Sequence, residues 1–206
     1  MWNCAENQMM LVMIRHGATK SNREHRYLGK VDEPLSEEGI EELSRYKNAQ
    51  CYPTVDYLFA SPMKRCIQTA EILYPNLQPV WIADWKEMDF GAFEGKNYME
   101  LQGDRRYQAF VDSNGTLPFP DGESQEAFIM RCYKGFQGML QELQRMDGHN
   151  ERKKTGMIVH GGTIMALLSS MGGGDYFDYQ AANGKGYTCI LEEENGRYKF
   201  TEIESI

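Results

Sequence analysis

Short, largely apolar segments of the chain end at polar turns that carry reactive side chains. Residues 9–14 (MMLVMI) lead through an arginine to His16, and residues 157–159 (MIV) lead to His160. Residues 55–60 end in the same way at a serine and a proline. Apolar runs of this length, without polar alternation, are typical of strands that are buried on both faces. The chain is therefore predicted to be built on a buried parallel sheet.

Helical segments separate these strands. Ser36, followed by two glutamates, is predicted to cap one helix, and Ser61 with Pro62 is predicted to begin a second. Further helices are predicted over 123–143 and 164–171. Strands that alternate with helices predict an α/β fold, a mostly parallel sheet with helices on both faces.

The last two predicted strands, 188–193 and 197–203, flank an Asn-Gly pair at 195–196. Asn-Gly is the preferred sequence of the type I′ turn in two-residue hairpins. The C-terminal edge of the sheet is therefore predicted to be antiparallel.

The length of 206 residues suits one domain with a sizeable core, so we predict a single domain over 1–206. Residues 101–122 contain glycines and prolines, among them Gly103 and Gly115, and only one short predicted helix, at about 105–111. This composition favours a loop-rich excursion that acts as a cap.

Composition excludes several classes of function. A formal net charge of −8 argues against a general nucleic-acid binder, which needs a basic surface. The apolar run at 9–14 is too short to span a membrane or serve as a secretory signal, so no membrane partner is expected. The five cysteines form no CxxC pair, which disfavours a disulfide framework or a zinc ribbon and favours a reducing, cytoplasmic location.

Two histidines are predicted to meet at one edge of the sheet. His16 and His160 each follow a strand and precede a glycine, and ligands of open α/β sheets bind beyond the carboxyl ends of strands. Arg15 and Arg65 are placed at the same edge. Guanidinium groups and helix N-termini match the oxygens of a phosphoryl group, and a neutral imidazole can accept that group covalently. A phosphoryl-transfer site is therefore expected.

Ordered motifs extend this interpretation to a family. Residues 15–22 (RHGATKSN) resemble the RHGxTxxN signature of the histidine phosphatase superfamily, also called phosphoglycerate-mutase-like. The other matches, in the family's order, are to DxPLSxxG at 32–39, SPxxRxxQTA at 61–70, ExxFGxxEG at 87–95 and the second histidine motif at 159–162. The resemblance covers about residues 9–170 and implies a phosphoglycerate-mutase-like fold.

The resemblance also implies roles for individual residues. His16 would be the phosphorylated nucleophile, Glu87 the proton donor, and Arg15, Arg65 and His160 would hold the phosphoryl oxygens. The residues assigned to substrate binding are Asn22, Leu28, Gly29 and Gly161. The expected partner is a small phosphorylated metabolite, and the scheme needs neither a metal ion nor another cofactor.

The role of Glu87 requires a carboxyl pKa above the ordinary value, because the group must carry a proton before it can donate one. Burial raises such a pKa, whereas the neighbouring cations lower it. The sequence leaves the outcome of this competition open.

Three functions remain at this stage. The segment Tyr27-Leu28-Gly29 and residues 120–124 resemble the compact phosphatase branch, which includes α-ribazole phosphatase. A cofactor-dependent phosphoglycerate mutase is the alternative. Mutases usually bind their substrate with a tyrosine and a lysine around the ExxFGxxEG segment, and the presence of Phe90 and Tyr98 in this region disfavours that function. A non-catalytic phosphate-binding regulator is the third. No role is assigned to His25 or His149. Arg105 and Arg106 are expected to be solvated rather than to contact the substrate. The sequence leaves the oligomeric state open.

Overall fold

The computed structural model describes residues 8–147 and 153–206, and a mixed β-sheet forms its centre. Along the sheet the strand order is β3-β2-β4-β1-β5-β6. The strands are β1 (Gln8–Arg15), β2 (Tyr57–Ala60), β3 (Val80–Trp81), β4 (Thr155–Val159), β5 (Gly186–Glu194) and β6 (Arg197–Ser205). Strands β3, β2, β4 and β1 are parallel, whereas β5 pairs antiparallel with both β1 and β6. The predicted mostly parallel sheet with an antiparallel C-terminal edge is confirmed.

Strand β1 is apolar throughout because both of its faces are covered. Leu11 and Met13 pack into one apolar cluster, and Val12 and Ile14 pack into another on the opposite face. All four side chains are fully buried. Neither face of β1 is therefore exposed to solvent, as the unbroken apolar run predicts.

Helices lie on both faces, as expected. They are α1 (Lys20–Arg23), α2 (Glu37–Asn48), α3 (Lys64–Leu73), α4 (Arg105–Asp112), α5 (Gln125–Asp147) and α6 (Gly161–Gly172). Helices α5 and α6 contribute to the cluster around Leu11, whereas α2 and α3 contribute to the cluster around Val12. None of the described helices is long and apolar enough to cross a membrane.

Two serines were predicted to cap helices, and the structure confirms this for one of them only. Ser36 caps α2, since its hydroxyl accepts a hydrogen bond from the Gly39 amide. The prediction that Ser61 caps α3 is wrong, because that helix begins at Lys64 with Met63 at the N-cap. The Ser61 hydroxyl instead forms a hydrogen bond with the His160 ring.

Other local predictions can be compared directly. Asn195 and Gly196 both have positive φ, 54° and 76°, as a type I′ turn requires, and they join β5 to β6. The short helix of the 101–122 excursion is present as α4. Helix α6 begins three residues before its predicted start, directly after His160. His149 lies outside the described residues, and the single-domain boundaries stay a prediction.

Candidate active site

The two predicted histidines are buried together at the carboxyl ends of β1 and β4. The ring centroids of His16 and His160 are 5.2 Å apart. The Nδ1 atom of His16 lies 2.7 Å from the carbonyl oxygen of Gly17. Because a carbonyl can only accept, Nδ1 carries the proton and donates it, which leaves the lone pair of the neutral ring on Nε2. This is the protonation pattern that a nucleophilic imidazole needs.

The backbone around His16 is held from two sides. The amide of Gly17 donates to the hydroxyl of Thr69 on α3, at 3.0 Å. The side-chain amide of Asn183 donates to the His16 carbonyl, at 3.1 Å. These contacts fix the turn that presents the His16 ring. Neither Thr69 nor Asn183 was identified as a site residue from the sequence.

His160 has the opposite proton arrangement. Arg65 Nε donates to its Nδ1 at 3.3 Å, so Nδ1 is the acceptor. The proton of the neutral ring is then on Nε2, which lies 2.8 Å from the Ser61 hydroxyl and donates to it. His160 is thus oriented by Ser61 and Arg65 together.

Arg65 is fully buried, and its guanidinium is positioned by backbone oxygens. Nη2 donates to the Gly29 carbonyl and Nη1 to the Val31 carbonyl, each at 2.9 Å. A Cβ at Gly29 would lie 2.0 Å from the Met88 carbonyl oxygen, so only glycine allows this approach. Gly29 therefore supports Arg65 through its backbone, while the neighbouring Leu28 borders the cavity beside His16.

Arg15 retains a hydrogen-bond donor inside the site. Its Nη1 donates to the Ala181 carbonyl at 2.7 Å, whereas its buried Nε has no partner within the described part of the chain. Gly161 leaves room beside this group, since a Cβ there would lie 3.4 Å from Arg15 Nε. Because a buried donor without a partner is costly, this atom is well suited to bind an anionic oxygen.

Asn22 borders the same cavity as His16. Its Oδ1 accepts from the backbone amide of Thr19, at 3.2 Å, and from the side chain of Asn183, at 3.1 Å. Since its oxygen is engaged, the group that Asn22 offers to a ligand is its amide N–H.

Glu87 projects from the loop between two 3₁₀ turns, Ala83–Trp85 and Gly91–Phe93, and borders the cavity with His16 and Arg15. Burial raises the pKa of its carboxyl, although the Met88 amide and the guanidinium groups of Arg65 and Arg15 lower it. The net direction is upward. Burial therefore decides the competition that the sequence left open, in the direction a proton donor requires.

His16 and His160 are both neutral near neutral pH. Burial, followed by the charges of Arg65 and other neighbours, holds the pKa of His16 and of His160 well below 6.5. A neutral His16 keeps the lone pair that covalent catalysis uses.

The site opens into two adjoining cavities. The polar one, about 200 Å³, contains His16, Asn22 and the previously unassigned His25. The other, about 320 Å³, has an aromatic wall along part of its lining. This wall is formed by Tyr27, Phe90, Phe110, Phe119, Tyr176 and Phe177. Phe110 and Phe119 belong to the 101–122 excursion, whereas Arg106 pairs with Asp104 on the surface at 3.0 Å. The excursion thus contributes an apolar wall.

Comparison with known proteins agrees with this geometry. Residues 11–204 match the histidine phosphatase superfamily (branch 1), and the chain belongs to this family as a phosphatase-type enzyme.

Individual relatives differ in how much of the chain they match. The uncharacterized phosphatase PhoE of Bacillus subtilis is 31% identical over 165 residues, which cover 79% of this chain and 77% of PhoE. The 2,3-bisphosphoglycerate-dependent phosphoglycerate mutase of Bifidobacterium longum is 34% identical over 120 residues, 52% of this chain and 48% of the mutase. The crystal structure of the α-ribazole phosphatase from Shigella flexneri has a TM-score of 0.74 at 22% identity and covers 95% of this chain and 96% of its own. The last comparison bears on the fold alone.

Proposed function

We propose that this protein hydrolyses phosphomonoesters of a small metabolite through a phosphohistidine intermediate on His16. The observation that carries the proposal is the hydrogen bond from His16 Nδ1 to the Gly17 carbonyl, 2.7 Å, because it leaves Nε2 as the nucleophilic atom. The guanidinium groups of Arg15 and Arg65 lie near this ring and supply the donors and positive charge that a phosphoryl group requires, while the neutral ring of His160 packs against that of His16.

In the first step, the lone pair of His16 Nε2 forms a bond to phosphorus and the ester P–O bond breaks. The electron pair of that bond leaves with the ester oxygen, which takes the proton of the Glu87 carboxyl. The raised pKa of Glu87 keeps this proton available. The guanidinium groups of Arg15 and Arg65 neutralise the charge on the phosphoryl oxygens during transfer.

In the second step, water attacks the phosphorus of phosphohistidine and gives its proton to the Glu87 carboxylate. The N–P bond breaks, its electron pair returns to His16 Nε2, and inorganic phosphate is released. Glu87 is then protonated again and His16 is neutral, so both residues are ready for another cycle.

The aromatic cavity supports a substrate whose leaving group is apolar or aromatic. Glu87, the proposed proton donor to the leaving group, and Arg15 both border this cavity. α-Ribazole 5′-phosphate, which carries an aromatic base, fits this description. A phosphoglycerate has no apolar part for Phe90 and its aromatic neighbours to bind, and Tyr98 is 59% exposed to solvent. These features favour the phosphatase over the mutase.

A substrate panel tests this proposal. We expect the purified protein to release phosphate from p-nitrophenyl phosphate and α-ribazole 5′-phosphate, with kcat/KM at least about tenfold above that for glycerol phosphate. His16→Ala should abolish release from all three. Rapid interconversion of 2- and 3-phosphoglycerate without phosphate release would instead support the mutase, and binding without turnover would support the regulatory protein.

A cytoplasmic location is proposed from the scattered cysteines of the sequence alone.

A further inference from the structure

Arg131, on α5, contacts the loop that carries Glu87. Its Nη1 donates to the carbonyl oxygens of Asp84 and Lys86, each at 2.8 Å, and its Nη2 lies 3.5 Å from the carbonyl of Glu87 itself. Between the 3₁₀ turns Ala83–Trp85 and Gly91–Phe93 this loop has no regular secondary structure to satisfy its carbonyls. One guanidinium therefore supplies donors along the backbone that leads to Glu87.

The guanidinium of Arg131 is itself held in place. Glu123 accepts from its Nε at 3.0 Å and from its Nη2 at 2.8 Å, which makes a bidentate pair. The ring of Phe128 lies beneath it, with the Arg131 Cζ 4.9 Å from the ring centroid. The planar fork is thus fixed before it contacts the loop.

Glu123 also contacts the loop on the far side of Glu87. Its backbone amide donates to the Asp89 carbonyl at 2.9 Å, and its carboxylate lies 3.4 Å from the Asp89 amide. The loop is therefore attached on both sides of Glu87, by Arg131 at 84–87 and by Glu123 at Asp89.

Arg131 borders a cleft that Glu87 and Glu123 also border. The polar cavity around His16 is lined by Asn22 and Leu28, and by Glu87 and Phe90 from this loop, but not by Arg131. The hydrogen bonds of Arg131 therefore reach the site through the Glu87 loop, and its charge is one of those that lower the pKa of His160.

We infer that Arg131 is a positioning residue, which, fixed by Glu123, sets the place of the Glu87 carboxyl relative to the departing oxygen. This inference rests on the proposed function. General acid catalysis depends on a donor within hydrogen-bond reach of the leaving oxygen, so displacement of the loop should weaken proton donation and leave phosphate binding intact.

The test compares two leaving groups. An alkyl phosphate needs a proton at departure, whereas p-nitrophenyl phosphate departs with little help. We expect Arg131→Met to lower kcat/KM for the alkyl phosphate about 10²-fold or more. The fold-loss in kcat/KM for p-nitrophenyl phosphate should be smaller than this by a factor of about ten or more. Inhibition by inorganic phosphate should stay within about twofold of the wild type, because the arginines that surround His16 are unchanged.

Further variants separate positioning from a merely structural effect. Arg131→Lys keeps the charge and part of the donor set, so it should recover part of the loss and it provides a folded variant if Arg131→Met is unstable. On a Glu87→Gln background, Arg131→Met should cause no further loss on the alkyl phosphate. Arg145→Met is the matched control, since Arg145 lies on the same helix but pairs with Glu142 at the surface.

The possible outcomes are distinct. Equal losses on both substrates, or additive losses with Glu87→Gln, would overturn the role of Arg131 in an enzyme that remains active. Absence of turnover in the wild type would overturn the proposed function itself.

Discussion

At the residue scale, two histidines of the same site are given different chemistry by their neighbours. The Gly17 carbonyl makes Nδ1 of His16 a donor, whereas Arg65 makes Nδ1 of His160 an acceptor. The free lone pair is therefore on Nε2 in His16, while Nε2 of His160 is bonded to the Ser61 hydroxyl. This difference favours His16 as the nucleophile.

The burial of neutral histidines predicts a dependence of stability on pH. Burial and the nearby arginines hold the pKa of His16 well below 6.5, so below pH 6.5 the unfolded chain takes up a proton that the folded protein does not. The stability is therefore independent of His16 well above pH 6.5 and falls as pH drops below it, with a limiting slope of about 1.4 kcal/mol per pH unit.

The measurement is the free energy of unfolding in urea between pH 7.5 and 5.5, for the wild type and His16→Gln. We expect the variant to lose about 1.4 kcal/mol less stability than the wild type over this whole pH range. Equal slopes would show that His16 accepts a proton in the folded protein, contrary to its surroundings.

The sequence identified the residues at strand ends and in local motifs, and it missed residues that reach the site from distant segments. His16 and His160 were found because each ends an apolar run. Asn183 and Arg131 carry no local signal, since their importance comes only from the carbonyl oxygens they reach in the folded chain. The pKa direction of Glu87 also depends on the extent of burial, which no short motif specifies.

At the element scale, the N-terminus of α2 supports the turn that carries His16. The amide and the hydroxyl of Ser36 both donate to the Ala18 carbonyl, at 2.9 and 3.2 Å. A Cβ at Gly39 would lie 2.1 Å from the same carbonyl oxygen. The glycine that ends the DxPLSxxG motif therefore allows the helix to approach the turn closely.

This close approach predicts opposite effects for two glycine-to-alanine changes. Gly39→Ala must displace either α2 or the turn at Ala18, and should lower the free energy of unfolding by about 2 kcal/mol or more. Gly138→Ala on α5 is the matched control, because a Cβ there meets nothing within 4 Å. That variant should gain about 0.5–1 kcal/mol from helix propensity. Urea unfolding of both variants measures the effects, and a neutral Gly39→Ala would contradict the packing described here.

Helix starts illustrate where local patterns stop being sufficient. Ser36 caps α2 as the sequence predicts. Ser61 is followed by a proline, which also favours an N-cap, but its hydroxyl forms a hydrogen bond with His160 instead. The difference arises from the tertiary contact between Ser61 and His160, the residue that follows β4. A local sequence pattern carries no information about such a contact. The element was predicted correctly and its first residue was not.

At the scale of the whole molecule, parallel strands place the two histidines and both arginines at one edge of the sheet, inside an acidic protein. The 101–122 excursion and the segment around Tyr176 then add an apolar wall beside this cationic centre. The alternation of strands and helices predicted the first feature. The apolar wall was not predictable in detail, because its aromatic residues come from separate segments of the chain and follow no shared sequence pattern.

Covalent catalysis by His16 predicts a phosphorylated enzyme, and the chemical nature of its phosphoryl bond can be measured. The protein is mixed briefly with a ³²P-labelled phosphomonoester, denatured, and digested to locate the label; Glu87→Ala is treated in parallel to slow attack by water. We predict a label on His16 that is labile in acid and stable in base, as a phosphoramidate is, and absent from His16→Ala. A label on His160, or no label in Glu87→Ala despite demonstrated substrate binding, would contradict the assignment of His16 as the nucleophile.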